Sequence, residues 1–263
     1  MSRRIASESE LGTRVRGLLT KHPLLAGVVP SVVERIASMG TILIFNPGED
    51  MSREGEVADY WLLLSGSARV FYSSPSGFQV TVKLFGAPAA WGEIEVVTGG
   101  RYVENCVALD RATVVRLERL VFEQLMGDSP AFMKNVLHDT CARFLIAAQH
   151  ERALAFMKVP ERLAYLLLAY VRLYGVPVDG GIAIRVRLSQ TELAQGLGVT
   201  LRSVERALQD LKQQKVIAKS GARYVVTDIA RLATLTGDSI VGIDWVAGSR
   251  VEEGLLVGPR RQR

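Results

Sequence analysis

The sequence predicts an α+β chain: an N-terminal domain of short antiparallel strands, then one long helix, then a C-terminal domain of helices with a β-hairpin. Three observations carry this. Between residues 40 and 117, short β-rich segments recur at spacings near ten residues, divided by Gly and Pro turns,. From Pro130 the apolar period lengthens from two to about 3.6, and the next proline is Pro160,. Residues 188–217 then hold two helix signatures joined by a glycine turn,.

Composition narrows the classes first. The chain has 263 residues, 48% hydrophobic and 22% charged, too apolar for disorder, and its two cysteines cannot build a disulfide scaffold. Residues Met1 to Glu10 carry basic groups without an apolar segment behind them, which is not the pattern of a signal peptide,. The best membrane candidate, Leu163–Val171, is about half the ~18 residues a span needs and is bounded by Arg162 and Arg172,. A soluble, cytoplasmic protein with no membrane association is expected. The net charge of +5 is unevenly spread. Residues 23–128 hold eight cationic against thirteen acidic side chains, a net of −5, whereas residues 159–228 hold ten against six, a net of +4. An acidic first half and a basic second half suggest two domains, the second with a polyanionic partner.

In chain order, Leu11–Ser38 reads as short helices broken at Pro23 and Pro30,. Strands follow at Thr41–Phe45, Tyr60–Leu64, Ala68–Tyr72, Phe78–Phe85, Cys106–Leu109 and Ala112–Leu117. Their turns are Asn46-Pro47-Gly48, Ser65-Gly66-Ser67 and Ser73-Ser74-Pro75-Ser76-Gly77, and together they argue a small antiparallel barrel or sandwich,. Ser129-Pro130 starts a helix running to about Lys158, some 40 Å at 1.5 Å per residue. On it Met133, Leu137, Cys141, Phe144, Ala148 and Ala155 form one apolar stripe between charged flanks (Lys134, Asp139, Arg143, Glu151, Arg152). Such a seam suits pairing with a second copy of the helix. A second helix over Glu161–Tyr174, a loop through Gly175, Pro177, Gly180 and Gly181, and a strand Ile182–Val186 lead to the main motif.

Ser189 and Glu192 form a capping box, with Leu193, Ala194 and Leu197 as the buried face of the helix it opens,. Gly198 permits a tight turn, and Thr200 caps a second helix with inner face Val204, Leu208 and Leu211,. This is a helix-turn-helix, with Lys219-Ser220-Gly221 and Arg223–Val226 as a wing. The second helix of such a unit enters the major groove N-terminus first. The candidate DNA-contacting residues are Thr200, Arg202, Ser203, Arg206, Gln190 and Lys212. Arg202 and Arg206 lie four apart on one face, and arginine is the commonest reader of guanine O6 and N7. Lys212, Lys215, Lys219 and Arg223 are better placed for phosphates.

Strand domain, long helix and winged helix in this order resemble the Crp–Fnr family of bacterial transcription regulators over about residues 23–228. The marks are Phe45-Asn46-Pro47-Gly48-Glu49, Leu62-Leu63-Leu64-Ser65-Gly66, the elbow Trp91-Gly92-Glu93-Ile94, and the helix-turn-helix. The resemblance implies a double-stranded β-helix (a jelly-roll, cupin-like β-roll) over 23–128, a dimerisation helix over 129–158 and a winged helix-turn-helix over 159–235. Residues 1–22 would be an extension and 236–263 a partly disordered tail, whose Arg260, Arg261 and Arg263 add non-specific attraction to DNA. It also implies a homodimer on a near-palindromic operator, through Met133, Leu137, Cys141, Phe144 and Ala148, with an effector pocket at Gly92, Glu93, Ile94, Arg101 and Tyr102. Double-stranded DNA, a second copy of the chain, RNA polymerase and a small-molecule effector are the expected partners.

Departures from the family set further expectations. Cyclic-nucleotide-binding members carry an Arg-Ser or Arg-Thr pair about ten residues beyond the elbow glutamate. Here that stretch is Arg101-Tyr102-Val103-Glu104-Asn105, so cyclic AMP is not expected to bind and no cofactor is anticipated. Cys106 and Cys141 are too few for an iron–sulfur cluster. Many members begin the recognition helix with Ser-Arg-Glu, whereas Thr200-Leu201-Arg202 implies another DNA consensus. His22, His138 and His150 are too scattered to ligate a metal, and the latter two read as solvated helix residues,. Glu93 and Glu95, as alternating strand or turn residues, would point opposite ways, so no acid/base pair and no enzyme is expected. A regulator that binds DNA, or a sensor or protein-interaction module of the same architecture that has lost DNA binding, are the two readings to separate.

Overall fold

The computed structural model describes residues 3–5, 10–77, 79–221 and 223–236. The expected tail beyond Thr236 lies outside the described residues, as does most of the chain before Glu10. The chain divides between Cys141 and Ala142 into two compact units.

In the first unit the elements are β1 (Arg3–Ile5), α1 (Glu10–Leu19), a 3₁₀ turn at Pro23–Leu25, α2 (Pro30–Met39), β2 (Thr41–Phe45), β3 (Asp50–Ser52), β4 (Tyr60–Ser65) and β5 (Ser67–Ser73). They continue as β6 (Gln79–Gly86), β7 (Ala89–Trp91), α3 (Glu93–Val97), β8 (Asn105–Ala108), β9 (Ala112–Leu117), α4 (Arg119–Asp128) and the start of α5 (Pro130–Phe156). One antiparallel sheet runs β1-β2-β9-β4-β7 and another β3-β8-β5-β6. The continuous apolar run of β4, Tyr60 to Leu64, is buried throughout, as a strand covered on both faces requires,. Trp61 stacks on Trp91 with centroids 5.5 Å apart, and Phe85 stacks on Trp91 at 5.6 Å,. Tyr60 stacks on Phe122 at 4.2 Å, and Phe122 meets Phe132 edge-on at 6.0 Å. The aromatics thus fix α4 and the first turn of α5 to the strands.

Several features differ from expectation. The segment 119–128, not anticipated as an element, is helix α4, and Ser129 both ends it and accepts a hydrogen bond from Phe132 N at 3.3 Å to start α5. Helix α1 belongs to the core through Val15 and Leu19. His22 is buried, with Nδ1 accepting from Leu24 N and Nε2 facing the Ala89 carbonyl at 3.3 Å. Glu93 and Glu95 stand on α3, not on a strand; Glu93 is buried and Glu95 half-buried. Gly92 has φ 94°, and a Cβ there would drive into the Asp59 carbonyl, so the elbow requires glycine,.

The second unit holds the remainder of α5, α6 (Val159–Tyr174), β10 (Gly175–Val178), β11 (Gly181–Ile184), α7 (Gln190–Leu197), α8 (Leu201–Gln213), β12 (Ile217–Ser220), β13 (Arg223–Val226) and α9 (Ile229–Thr234). The expected loop at 175–178 is strand β10. Its proline, Pro177, is tolerated because β10 lies at the edge of the sheet β10-β11-β13-β12,. Among the described residues no helix is long and apolar enough to cross a membrane, and no cluster of three or more His, Cys, Asp or Glu side chains could hold a metal ion.

Tyr102 ties the first unit together. It is buried, and its hydroxyl accepts from Asp59 N (2.7 Å) and Trp61 Nε1 (2.6 Å) while donating to Asp59 O (2.8 Å). Burial pushes its pKa up to about 12,. Tyr102→Phe strands two buried N–H donors and is expected to destabilise the protein by about 2–4 kcal/mol. Denaturant unfolding checks this; a loss below roughly 0.5 kcal/mol contradicts the assignment.

Candidate nucleic-acid interface

The helix-turn-helix is fixed by local chemistry. Ser189 Oγ accepts from Glu192 N at 3.1 Å, and the Glu192 carboxylate accepts from Ser189 N at 2.7 Å,. Helix α7 ends at Gly198, which adopts φ 62° and ψ 38°, the left-handed conformation glycine takes without penalty,. Thr200 Oγ1 accepts from Ser203 N at 3.3 Å and is 2.8 Å from Ser203 Oγ, which starts α8,. Leu193, Ala194 and Leu197 of α7 and Val204, Ala207, Leu208 and Leu211 of α8 are buried, and α6 packs against both helices.

What α8 leaves in solvent is the candidate reading face. Leu201, Arg202, Glu205, Arg206 and Lys212 are exposed, with Arg202 and Arg206 one helical turn apart,. Thr200 is also exposed, but its hydroxyl serves the cap, and Ser203 is half-buried within the same cap. Gln190, half-buried, opens α7. Lys215, Lys219 and Arg223 are exposed around the β12–β13 wing, joined by exposed Arg185 and Arg187. The last two were not singled out in the sequence; their signal was the Arg-x-Arg pair just before Ser189.

Contrary to expectation, His150 is not a solvated helix residue. It is largely buried, its Nε2 lies 2.9 Å from the Gly196 carbonyl of α7, and its ring stacks on Tyr165 at 6.4 Å. Tyr165 Oη donates to Ile146 O at 3.3 Å, and Arg162 donates to the carbonyls of Met157 and Leu197. These bonds fasten the C-terminal half of α5 to the helix-turn-helix. Burial holds the His150 pKa below its ordinary value,.

The residues proposed for an effector pocket divide. Tyr102 is buried in the core, with its hydroxyl fully engaged. Gly92 is pressed against Asp59 backbone. Arg101 is exposed, and its Nη1 donates to Gly55 O at 2.8 Å, while Ile94 is exposed on α3. Beyond them Glu104, with only 16% of its side chain exposed, binds Lys83 through both carboxylate oxygens at 3.1 Å. It also accepts from Tyr72 Oη at 3.1 Å. Glu95 is raised above the usual carboxylate range, first by burial and then by Glu104 and Glu93.

Helix α5 is apolar on two faces. Phe132, Val136, Ala142 and Ala153 are buried, whereas Met133 (46% exposed), Leu137 (61%), Cys141, Phe144 (71%) and Ala148 form an exposed stripe on the opposite side,. Asp139, expected among the solvated flanks, is buried on the inner face.

Comparison with known proteins now bears on this arrangement. The family described as "Cyclic nucleotide-binding domain" matches residues 42–129, and "Crp-like helix-turn-helix domain" matches residues 161–235. The chain belongs to the Crp–Fnr family of transcription regulators. It is 24% identical over 217 residues to the CRP-like cAMP-activated global transcriptional regulator of Mycobacterium tuberculosis, covering 82% of this chain and 97% of that one. The global nitrogen regulator of Nostoc is 27% identical over 197 residues, covering 74% and 85%. Among solved structures, FixK2 from Bradyrhizobium japonicum superposes with a TM-score of 0.66 at 21% identity, covering 74% of this chain and 96% of that one. The architecture of β-roll, long helix and winged helix-turn-helix is therefore that of this family, and the protein is a DNA-binding transcription regulator.

Because the His150 pKa is lowered in the folded state, the unfolded chain binds more protons just below the ordinary histidine range. The stability this residue supports is present above about pH 6.5 and is lost as pH falls toward the folded value,. Melting curves between about pH 7 and pH 5.5 are expected to shift downward on acidification, and His150→Gln to flatten that dependence. An identical slope in the variant contradicts the assignment.

Proposed function

We propose that the protein works as a homodimer on a near-palindromic operator, each α8 reading one half-site. The observation that carries this is the exposed stripe Met133–Leu137–Cys141–Phe144–Ala148: five apolar or sulfur-bearing side chains on one face of a long helix need a cover, and a second copy of that helix supplies one of matching shape,. The two-fold axis of such a dimer presents two recognition helices to successive major grooves, about 34 Å apart. There the forks of Arg202 and Arg206 fit guanine O6 and N7. Lys212, Lys215, Lys219, Arg223, Arg185 and Arg187 fit the flanking phosphates, a term that weakens with salt.

The β-roll supplies the switch in this reading, with an effector that is not a cyclic nucleotide. Where the family's cyclic phosphate would need cationic and hydroxyl donors, this chain has the Glu104 carboxylate, already holding Lys83 and Tyr72. Glu95, close enough to feel the Glu104 charge, is a second carboxyl group there and supplies no cationic donor. These residues do not fit an anionic phosphate. RNA polymerase is the natural further partner of a DNA-bound regulator, and the cytoplasm its place of work. The competing reading, a sensor or protein-interaction module without DNA binding, has no observation in its favour.

Arg206→Ala is expected to cost about 1–3 kcal/mol in operator binding and to relax specificity at one base position, read by competition binding on single-base operator variants. Wild-type behaviour of both Arg202→Ala and Arg206→Ala sinks the reading of α8 as the recognition helix. Phe144→Glu places a charge on the stripe and is expected to give a monomer by size-exclusion chromatography; an unchanged dimer refutes the seam.

A further inference from the structure

We infer that Leu201 reads a thymine 5-methyl group in the major groove, beside the arginine contacts, and so sets one thymine of the half-site. The inference rests on the role of α8 proposed above. Leu201 is the first residue of α8 and is 43% exposed. Among the described residues of α7 and α8 it is the one large apolar side chain left in solvent; the inner face of both helices is buried. It is not needed to close the helix start. The staple positions, before the cap and four beyond it, are Val199 and Val204, half-buried and fully buried respectively,.

The neighbours narrow what Leu201 can do. Thr200 and Ser203 spend their first-turn groups on the cap, and Arg202 and Arg206 project from the adjoining strip of the helix. A helix that enters the groove N-terminus first brings its first-turn side chains closest to the base edges. Among the base-edge groups of the major groove, the apolar one is the thymine 5-methyl; the others are hydrogen-bond donors and acceptors that leucine would desolvate without replacing. One turn along, at i+4 from Leu201, stands the exposed carboxylate of Glu205, which disfavours a phosphate contact on this edge and leaves the bases as its counterpart,.

The test uses full-length protein and an operator selected from random DNA. Each thymine of a half-site is replaced in turn by deoxyuridine, which lacks only the methyl group, and the dissociation constant is read by fluorescence anisotropy. For the wild type, one symmetry-related thymine position is expected to lose roughly three- to fivefold in affinity, the worth of one buried methyl. Leu201→Ala is expected to bind thymine and deoxyuridine operators equally at that position, and Leu201→Met, which keeps an apolar chain, to retain the discrimination. Because Leu201 is exposed, both variants should melt like the wild type. Wild-type indifference to deoxyuridine throughout the half-site, or unchanged discrimination in Leu201→Ala, overturns the inference while leaving α8 a DNA reader. Failure of the wild type to select any sequence removes the underlying reading, and this inference with it.

Discussion

The rest of the molecule depends on one constraint: α5 carries apolar side chains on two opposite faces, and its own chain covers one of them. Phe132 and Val136 lock its start into the aromatic cluster of Tyr60 and Phe122, and Ala153 is buried near its end with Met157 and Tyr165. Met133, Leu137, Phe144 and Ala148 remain outside. Water penalises such a stripe, and the penalty is relieved by a matching surface. If that surface is a second α5, the need to bury hydrocarbon also sets the geometry of DNA recognition, because one two-fold axis then relates both recognition helices.

The same helix runs from one unit into the other. Its first half belongs to the unit of the β-roll and its second half to the unit of the helix-turn-helix. Within the second unit, the bonds of His150, Arg162 and Tyr165 to backbone carbonyls fasten α5 to α6 and α7. In the first unit, the Glu104 carboxylate is engaged internally by Lys83 and Tyr72.

What was legible in the residues follows from range. The helix-turn-helix could be read because its determinants are neighbours: Ser189 with Glu192, Thr200 with Ser203, and Gly198 at the turn. The strand domain was readable from alternation and turn residues, and the stripe of α5 from its spacing. Less legible were features decided by contacts far along the chain. That the Tyr102 hydroxyl serves Asp59 and Trp61, some forty residues earlier, could not be read from its neighbours. His150 looked solvated because its helix is polar nearby, but Gly196 meets it from α7. Short β3 and β7 lack a periodic signature of their own and exist by pairing with β8 and β4. Arg185 and Arg187 were visible as charge, but that they are exposed just beyond β11, the strand that pairs with β13 of the wing, needed the fold.

The central claim, that two copies joined along α5 read one operator, is tested most directly by stoichiometry on DNA. Sedimentation of the full-length protein with a selected operator duplex should give a complex of two protomers per duplex, with no stable one-protomer species at limiting protein. A duplex bearing a single half-site should bind far more weakly. Single protomers that fill the half-sites independently, each with the affinity of the whole, would contradict the account.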